Sequence, residues 1–130
     1  MRRVVHQVSW VIVVGCAASL THWVVAVGLV SLAGVTPLLA NLVGWLIAFL
    51  VSFSGHYRLT FRHQQARLVP AAARFFMVSA LGFCINEASY AWLLRTTTIR
   101  YDVLLLLILV AIAVLTFALS RLWAFRSAPS

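Results

Sequence analysis

The chain has 130 residues, of which 64% are hydrophobic and only 9% are charged. A soluble domain averages about 45–50% apolar and about 25% charged residues, so this composition excludes a soluble globular enzyme. It also excludes a disordered chain, because disorder requires low hydrophobicity. Ten basic residues against two acidic ones give a formal net charge of +8. Because the basic residues flank apolar runs, we expect them to contact anionic lipid and set membrane topology rather than bind nucleic acid.

Four apolar segments follow one another along the chain, and each approaches the roughly 20 residues that a membrane-spanning helix needs. The first two are separated where Gly34, Thr36 and Pro37 cluster, so that Thr36 can cap the second helix and Pro37 can open it. Asp102 is placed to cap the fourth helix. We therefore predict spans at residues 8–32, 37–57, 74–94 and 103–122, with a polar loop over residues 58–73.

The arginines are distributed unequally between the two sides of these spans. Eight lie at the termini and in the central loop, whereas only Arg95 and Arg100 lie on the opposite side. Cytoplasmic segments carry an excess of basic residues, so this distribution predicts that both termini lie in the cytoplasm. Several Trp and Tyr residues fall near span ends, as in the aromatic belts of membrane proteins.

The two halves of the chain resemble each other at one fixed offset. Residues 56–62 match residues 120–126 at an offset of 64, and the same offset places His22 on Asn86. Each half contains two spans, so both halves enter the membrane in the same direction. The fold predicted is therefore an all-α membrane protein whose four transmembrane helices form two parallel-repeat helical hairpins.

Small and polar residues recur at helical spacing inside the predicted spans. Such faces let helices approach closely, and they could also line a polar groove. Glu87 differs from the others because a carboxylate at that depth costs roughly 3 kcal/mol or more on insertion scales, so it should face protein or a hydrated cavity. The candidate groove residues are Asn41, Ser52, Asn86, Glu87, His22 and His56.

A second set of candidates consists of arginines on the side of the termini. These residues could act only through topology and contact with headgroups, or they could form a cradle for phosphate, since guanidinium donates paired hydrogen bonds to phosphate oxygens. The candidate phosphate-binding residues are Arg58, Arg62, Arg74, Arg121 and Arg126. The sequence lacks a Ser–His–Asp set, a carboxylate pair, a Gly-rich phosphate loop and metal-ligand spacing, so we predict neither an enzyme nor a cofactor or metal.

Short motifs at the helix ends indicate a family. The second and fourth helices end in the aromatic–basic segments YRLTF at 57–61 and SRLWAF at 120–125. The second helix opens with LAN at 39–41, and the third opens with RF at 74–75, followed by Gly82 and Asn86. With these residues the chain resembles, over nearly its whole length, the GtrA-like family of small four-helix membrane proteins.

The resemblance implies translocation of a polyprenyl-phosphate-linked sugar across the cytoplasmic membrane for cell-surface polysaccharide synthesis or modification. It also implies a membrane glycosyltransferase as partner, and four spans are few enough that we expect a homo-oligomer. Two alternatives stay open. One is a proton-coupled small multidrug exporter, although that class carries its essential Glu in the first helix rather than the third. The other is a membrane scaffold that docks a glycosyltransferase without transporting anything.

Overall fold

The computed structural model describes the backbone of residues 1–60 and 67–126 and the side chains of residues 1–59 and 67–115. The described part of the chain folds into four α-helices and one short π-helical turn, which confirms the all-helical fold. The helices are α1 (Arg2–Ala33), α2 (Pro37–Gly55), α3 (Leu68–Thr96) and α4 (Tyr101–Arg126), and the π-helical turn covers His56–Thr60.

The connection between α1 and α2 is short because two residues of special backbone geometry define it. Gly34 follows α1 with φ of +67°, a left-handed conformation that glycine adopts without steric cost. Pro37 is the first residue of α2, where its missing N–H has no intrahelical partner to lose. Thr36 is the N-cap residue as predicted, but its hydroxyl makes no capping hydrogen bond. The two helices therefore run antiparallel as a tight hairpin.

The helices are longer than three of the four predicted spans. α1 begins at Arg2 rather than residue 8, and α3 begins at Leu68 rather than residue 74. Pro70 is compatible with this start, because it lies in the first turn, where backbone N–H groups have no intrahelical partner. Residues 68–73 are thus helical and not part of the predicted loop. α4 likewise exceeds its predicted 103–122 at both ends.

Two predicted helix ends need correction. α2 ends at Gly55, and the chain then continues as the π-helical turn instead of reaching residue 57 as α-helix. Asp102 is the second residue of α4 and not its cap, although its Oδ1 accepts a hydrogen bond from the Val103 N–H at 2.9 Å. Its Oδ2 accepts one from Arg100 at 3.1 Å. A carboxylate in the first turn still stabilises the helix, because its negative charge interacts favourably with the positive end of the helix dipole.

Three helical segments are long and apolar enough to cross a membrane: Arg2–Ala33, Pro37–Leu59 and Leu68–Thr96. α4 is apolar over Tyr101–Leu115, which is as far as its side chains are described. The protein is therefore a multi-pass membrane protein. We call the end of the bundle with the residue 34–36 and 97–100 connections the connection side. The opposite end, where α1 begins and α2 ends, is the terminal side.

Neighbouring helices contact one another around the bundle. α1 and α2 lie closest, because a Cβ on Gly44 would come within 2.7 Å of the His22 backbone oxygen. α1 reaches α4 through Trp23, whose Nε1 donates to the Asp102 backbone oxygen at 2.9 Å. α3 reaches the start of α4 through Tyr90, whose hydroxyl donates to the Tyr101 backbone oxygen at 3.1 Å. These contacts form an apolar core on the connection side, made of Ala26, Ala40, Tyr90, Leu104, Leu105 and Ile108.

Five positions are buried at equivalent places in both halves of the chain, whereas the equivalents of the buried Val14, Ala18 and Ala48 are not buried. α2 begins at Pro37 and α4 begins 64 residues later at Tyr101, the offset found in the sequence. Every buried position described in α3 and α4 corresponds at this offset to a buried position in α1 and α2. This agreement supports the predicted duplication into two helical hairpins. The buried pairs are His22 with Asn86, Ala26 with Tyr90, Ala40 with Leu104, Asn41 with Leu105, and Gly44 with Ile108.

Candidate functional site

Three buried polar side chains from three helices form a hydrogen-bonded chain, which we call the polar network. His22 Nε2 donates to Asn41 Oδ1 at 2.6 Å, and Asn41 Nδ2 donates to Asn86 Oδ1 at 2.7 Å. Asn41 is completely buried, and His22 and Asn86 are 6% and 4% exposed. Because Asn41 uses both ends of its amide, it ties α1 to α3 through α2. Buried polar groups are stable only when paired in this way.

Glu87 lies next to the polar network on α3. The Asn41 side chain interacts with its carboxyl group. Glu87 Oε1 is buried and has no hydrogen-bond partner within the described residues. An unpaired buried carboxyl oxygen is costly in an apolar environment, so Glu87 stays a candidate for a functional role. The structure thus brings four of the predicted groove residues together.

Ser52 and His56 lie at a different depth from the polar network. Asn41 is four residues into α2, about 6 Å from its start at 1.5 Å per residue. Ser52 and His56 follow 11 and 15 residues later, so they lie about 16 Å and 22 Å further along the helix axis. The predicted single groove therefore consists of two separate levels, one towards the connection side and one towards the terminal side.

On the terminal side, the structure places two of the five candidate arginines. Arg58 lies in the π-helical turn and Arg74 in the second turn of α3, and both side chains are exposed. The His56 ring lies 5.7 Å from the Phe75 ring, next to Arg74 in sequence. Arg62 lies outside the described residues, as do the side chains of Arg121 and Arg126 on α4. The phosphate cradle thus stays a prediction.

A seam of aromatic side chains between α2 and α3 joins the two levels. Trp45 stacks on Phe83 with ring centroids 4.6 Å apart, and its Nε1 donates to Ser79 Oγ at 2.9 Å. Sequence reasoning missed this seam, although a signal was present, since the aromatic residues of α2 recur every fourth position. The seam consists of Trp45, Phe49, Phe53, Phe75, Phe76 and Phe83.

Within the described ranges, no three His, Cys, Asp or Glu residues come close enough to hold a metal ion. The donor atoms that do converge are the imidazole, two amides and one carboxyl of the polar network and Glu87. Such groups can exchange hydrogen bonds and protons with a polar ligand.

A family model described as the GtrA/DPMS transmembrane domain matches residues 12–125 of the chain. The chain belongs to this family. The match covers all four helices and includes the polar network, Glu87, Arg58 and Arg121, whereas Arg126 follows it directly. Among curated proteins and solved structures, none matches the chain significantly. The GtrA/DPMS membership confirms the resemblance seen in the helix-end motifs.

Proposed function

We propose that this GtrA/DPMS-family protein translocates a polyprenyl-phosphate-linked sugar across the cytoplasmic membrane, with both termini on the cytoplasmic side. The observation that carries the proposal is the axial distance between two polar levels of α2 and α3, the polar network towards the connection side and the arginines on the terminal side. Arg58 lies 17 residues after Asn41, about 25 Å along the axis, which is close to the thickness of the hydrocarbon core. The headgroup of a carrier lipid needs a polar binding site at each end of such a path.

The terminal-side arginines suit the phosphate of the carrier. Arg58 and Arg74 are exposed there, and Arg62, Arg121 and Arg126 belong to the same side by sequence. Guanidinium groups bind phosphate through paired, charge-assisted hydrogen bonds. The apolar prenyl tail can stay in lipid while the headgroup moves, so that only a narrow polar path is required.

The polar network and Glu87 suit the sugar, whose hydroxyl groups both donate and accept hydrogen bonds. The interior at this level is filled, because Asn41 is completely buried. The sugar therefore passes beside the bundle or between helices that separate transiently. We propose that a homo-oligomer completes this path and that a membrane glycosyltransferase supplies the lipid-linked sugar. The protein itself has no catalytic role in this proposal.

A binding experiment tests the phosphate cradle. Neutralising Arg58 and Arg121 together, each to Ala, should reduce binding of a polyprenyl-phosphate-linked glucose to the purified protein by at least tenfold. The matched control removes two charges from the connection side, Arg95→Ala with Arg100→Ala, and should leave binding unchanged. Equal loss in both double variants would mean that only net charge matters and would overturn the cradle.

Reconstitution into liposomes separates the proposal from its rivals. A flippase moves the lipid-linked sugar between leaflets without any other protein. If the lipid moves only when the glycosyltransferase is present, or does not move at all while the transferase is still bound, the protein is a scaffold. If the protein instead confers drug resistance that Glu87→Gln abolishes, it belongs with the small multidrug exporters.

A further inference from the structure

Glu87 is half-buried, its Oε1 is buried without a hydrogen-bond partner among the described residues, and α1 and α2 bring no cation to its level. We propose that Glu87 binds the proton that couples lipid movement to a pH gradient, while His22, Asn41 and Asn86 position its carboxyl group. The inference rests on the proposed transport function and adds the energy source to it. Three observations support it: the charges absent around Glu87, the hydrogen bonds of the polar network, and the few titratable groups nearby.

The first observation concerns counterions. The chain has no Asp, Glu, Lys or Arg between Arg3 and Arg58, so α1 and α2 bring no cation to the level of Glu87. On α3 the nearest arginines, Arg74 and Arg95, lie 13 and 8 residues away, about 20 Å and 12 Å along the axis. A carboxylate inside a membrane without a cation is more costly than a neutral carboxylic acid. Glu87 therefore holds a proton in this conformation.

The second observation concerns hydrogen bonds. The Asn41 side chain donates to Asn86 and also interacts with the Glu87 carboxyl group. Glu87 Oε1 nevertheless has no hydrogen-bond partner among the described residues. A neutral carboxylic acid has one O–H to donate, and Oε1 is where that donor is available. A sugar hydroxyl that enters beside Glu87 can accept this hydrogen bond. Binding of the proton and of the sugar would then favour the same state of the site.

The third observation concerns the other titratable groups around Glu87. From α1 comes His22, which donates through Nε2 to Asn41 and is thus held by the polar network. From α3 comes Tyr90, and from the start of α4 come Tyr101 and Asp102, which lie near Tyr90. Asp102 is paired with Arg100 on the connection side, and Tyr90 donates to a backbone oxygen. Among the described residues at this level, His22 and Glu87 are therefore the groups left to exchange a proton, and α2 adds no titratable side chain there.

The coupling needs no chemistry beyond proton transfer to and from one oxygen. Glu87 takes up a proton from the aqueous phase on one side when the network opens there. It releases the same proton to the other side after the site changes its access. One proton therefore crosses the membrane for each lipid that moves.

Transport in proteoliposomes tests this stoichiometry. With the membrane potential clamped to zero, one pH unit across the bilayer should shift the steady-state ratio of a polyprenyl-phosphate-linked glucose between leaflets up to about tenfold. The Glu87→Gln variant should equilibrate the lipid at a ratio near one. The matched control is Asp102→Asn, the only other acidic residue of the chain, which should keep the tenfold shift.

Infrared spectroscopy tests the proton site without any transport. The wild-type protein at neutral pH should show the carbonyl stretch of a protonated carboxyl group. Glu87→Gln should remove that band and Asp102→Asn should retain it. A wild-type spectrum without the band would overturn the proton site, even if Glu87→Gln failed to fold.

The outcomes of the two experiments are distinguishable. Wild-type transport with no effect of the pH gradient overturns the coupling and leaves the proposed function standing. A gradient effect that survives in Glu87→Gln but disappears in His22→Gln assigns the proton to His22 and overturns the role of Glu87. If the wild-type protein moves no lipid, the proposed function and the coupling both fail, whereas the infrared band still decides whether Glu87 holds a proton.

Discussion

His22 and Asn86 bind the two ends of the same side-chain amide, that of Asn41. They lie 64 residues apart and are equivalent positions of the two helical hairpins. The residue equivalent to Asn41 in the second hairpin is Leu105, which is also buried. The duplication therefore has one polar centre rather than two. Replacing Asn41 by an apolar residue therefore removes the hydrogen bonds of both His22 and Asn86.

Asn41→Leu gives the first hairpin the side chain that the second hairpin already has at the equivalent position. We expect this substitution to destabilise the protein. Leucine has the same number and branching of side-chain heavy atoms as asparagine, but it leaves the His22 imidazole and the Asn86 amide buried without their partner. Each unsatisfied buried group costs about 1–3 kcal/mol, so we expect a loss in this range or above. Unfolding by SDS titration in mixed micelles measures it.

A triple variant provides the control for that prediction. Replacing His22, Asn41 and Asn86 together by apolar residues leaves no unsatisfied group within the polar network itself, although Glu87 still loses its contact with Asn41. Replacing both partners of a hydrogen bond by apolar groups can be nearly neutral. We expect the triple variant to regain most of the stability lost by Asn41→Leu and to lose lipid translocation. Translocation at the wild-type rate in a stable triple variant would mean that the polar network serves packing alone.

Gly44→Ala should loosen the α1–α2 hairpin. The added Cβ would lie 2.7 Å from the His22 backbone oxygen and 3.0 Å from its Cδ2, and a helix backbone cannot yield easily. Overpacking of this kind costs about 1–3 kcal/mol. Gly28→Ala is the matched control on α1, because a Cβ there meets nothing within 4 Å. Thermal unfolding in detergent should separate the two variants, and equal midpoints would contradict the close approach.

Trp23→Phe should weaken the contact between α1 and α4. The ring keeps most of its apolar area but loses the 2.9 Å hydrogen bond to the Asp102 backbone oxygen. Hydrogen bonds between membrane helices contribute about 0.6 kcal/mol on average and up to about 1.7 kcal/mol. The control is Trp92→Phe, whose side chain is 65% exposed. SDS unfolding should show a loss for Trp23→Phe and none for Trp92→Phe.

Cysteine labelling tests the predicted orientation. Cys16 and Cys84 are free and exposed, so both are first replaced by Ala. A cysteine introduced at Thr98, on the connection side, should react with a membrane-impermeant maleimide in intact cells. A cysteine introduced at Arg3 should react only after the membrane is permeabilised. The reverse pattern would place the termini outside and contradict the arginine distribution.

Residue spacing picked out four polar side chains that the structure brings together, but it could not show which of them touch. His22, Asn41, Asn86 and Glu87 were all identified because each is polar within an apolar helix. Their hydrogen bonds depend on the rotation of each helix about its axis and on the axial offset between helices, which no local pattern determines. Ser52 was assigned to the same groove because it shares a face of α2 with Asn41, although the two lie about 16 Å apart along it.

The helix ends were less well predicted, and for a different reason. The length rule gives the roughly 20 residues that are needed to cross the hydrocarbon core, whereas α1 and α3 are 32 and 29 residues long and begin at Arg2 and Leu68. Trp45 illustrates a further limit. Tryptophan is typical of the membrane interface, yet Trp45 lies eight residues into α2 and stacks on Phe83. Its partner lies on another helix, beyond the reach of local spacing.

The anchoring of α4 has a consequence for biogenesis. During synthesis α1 and α3 leave the ribosome before α4, so Trp23 and Tyr90 are already present when the last helix arrives. Both then donate to carbonyl groups in its first turn, at Asp102 and Tyr101. A chain halted before residue 101 would keep His22, Asn41 and Asn86 but leave these two donors without acceptors, so the polar network can form before α4 is anchored.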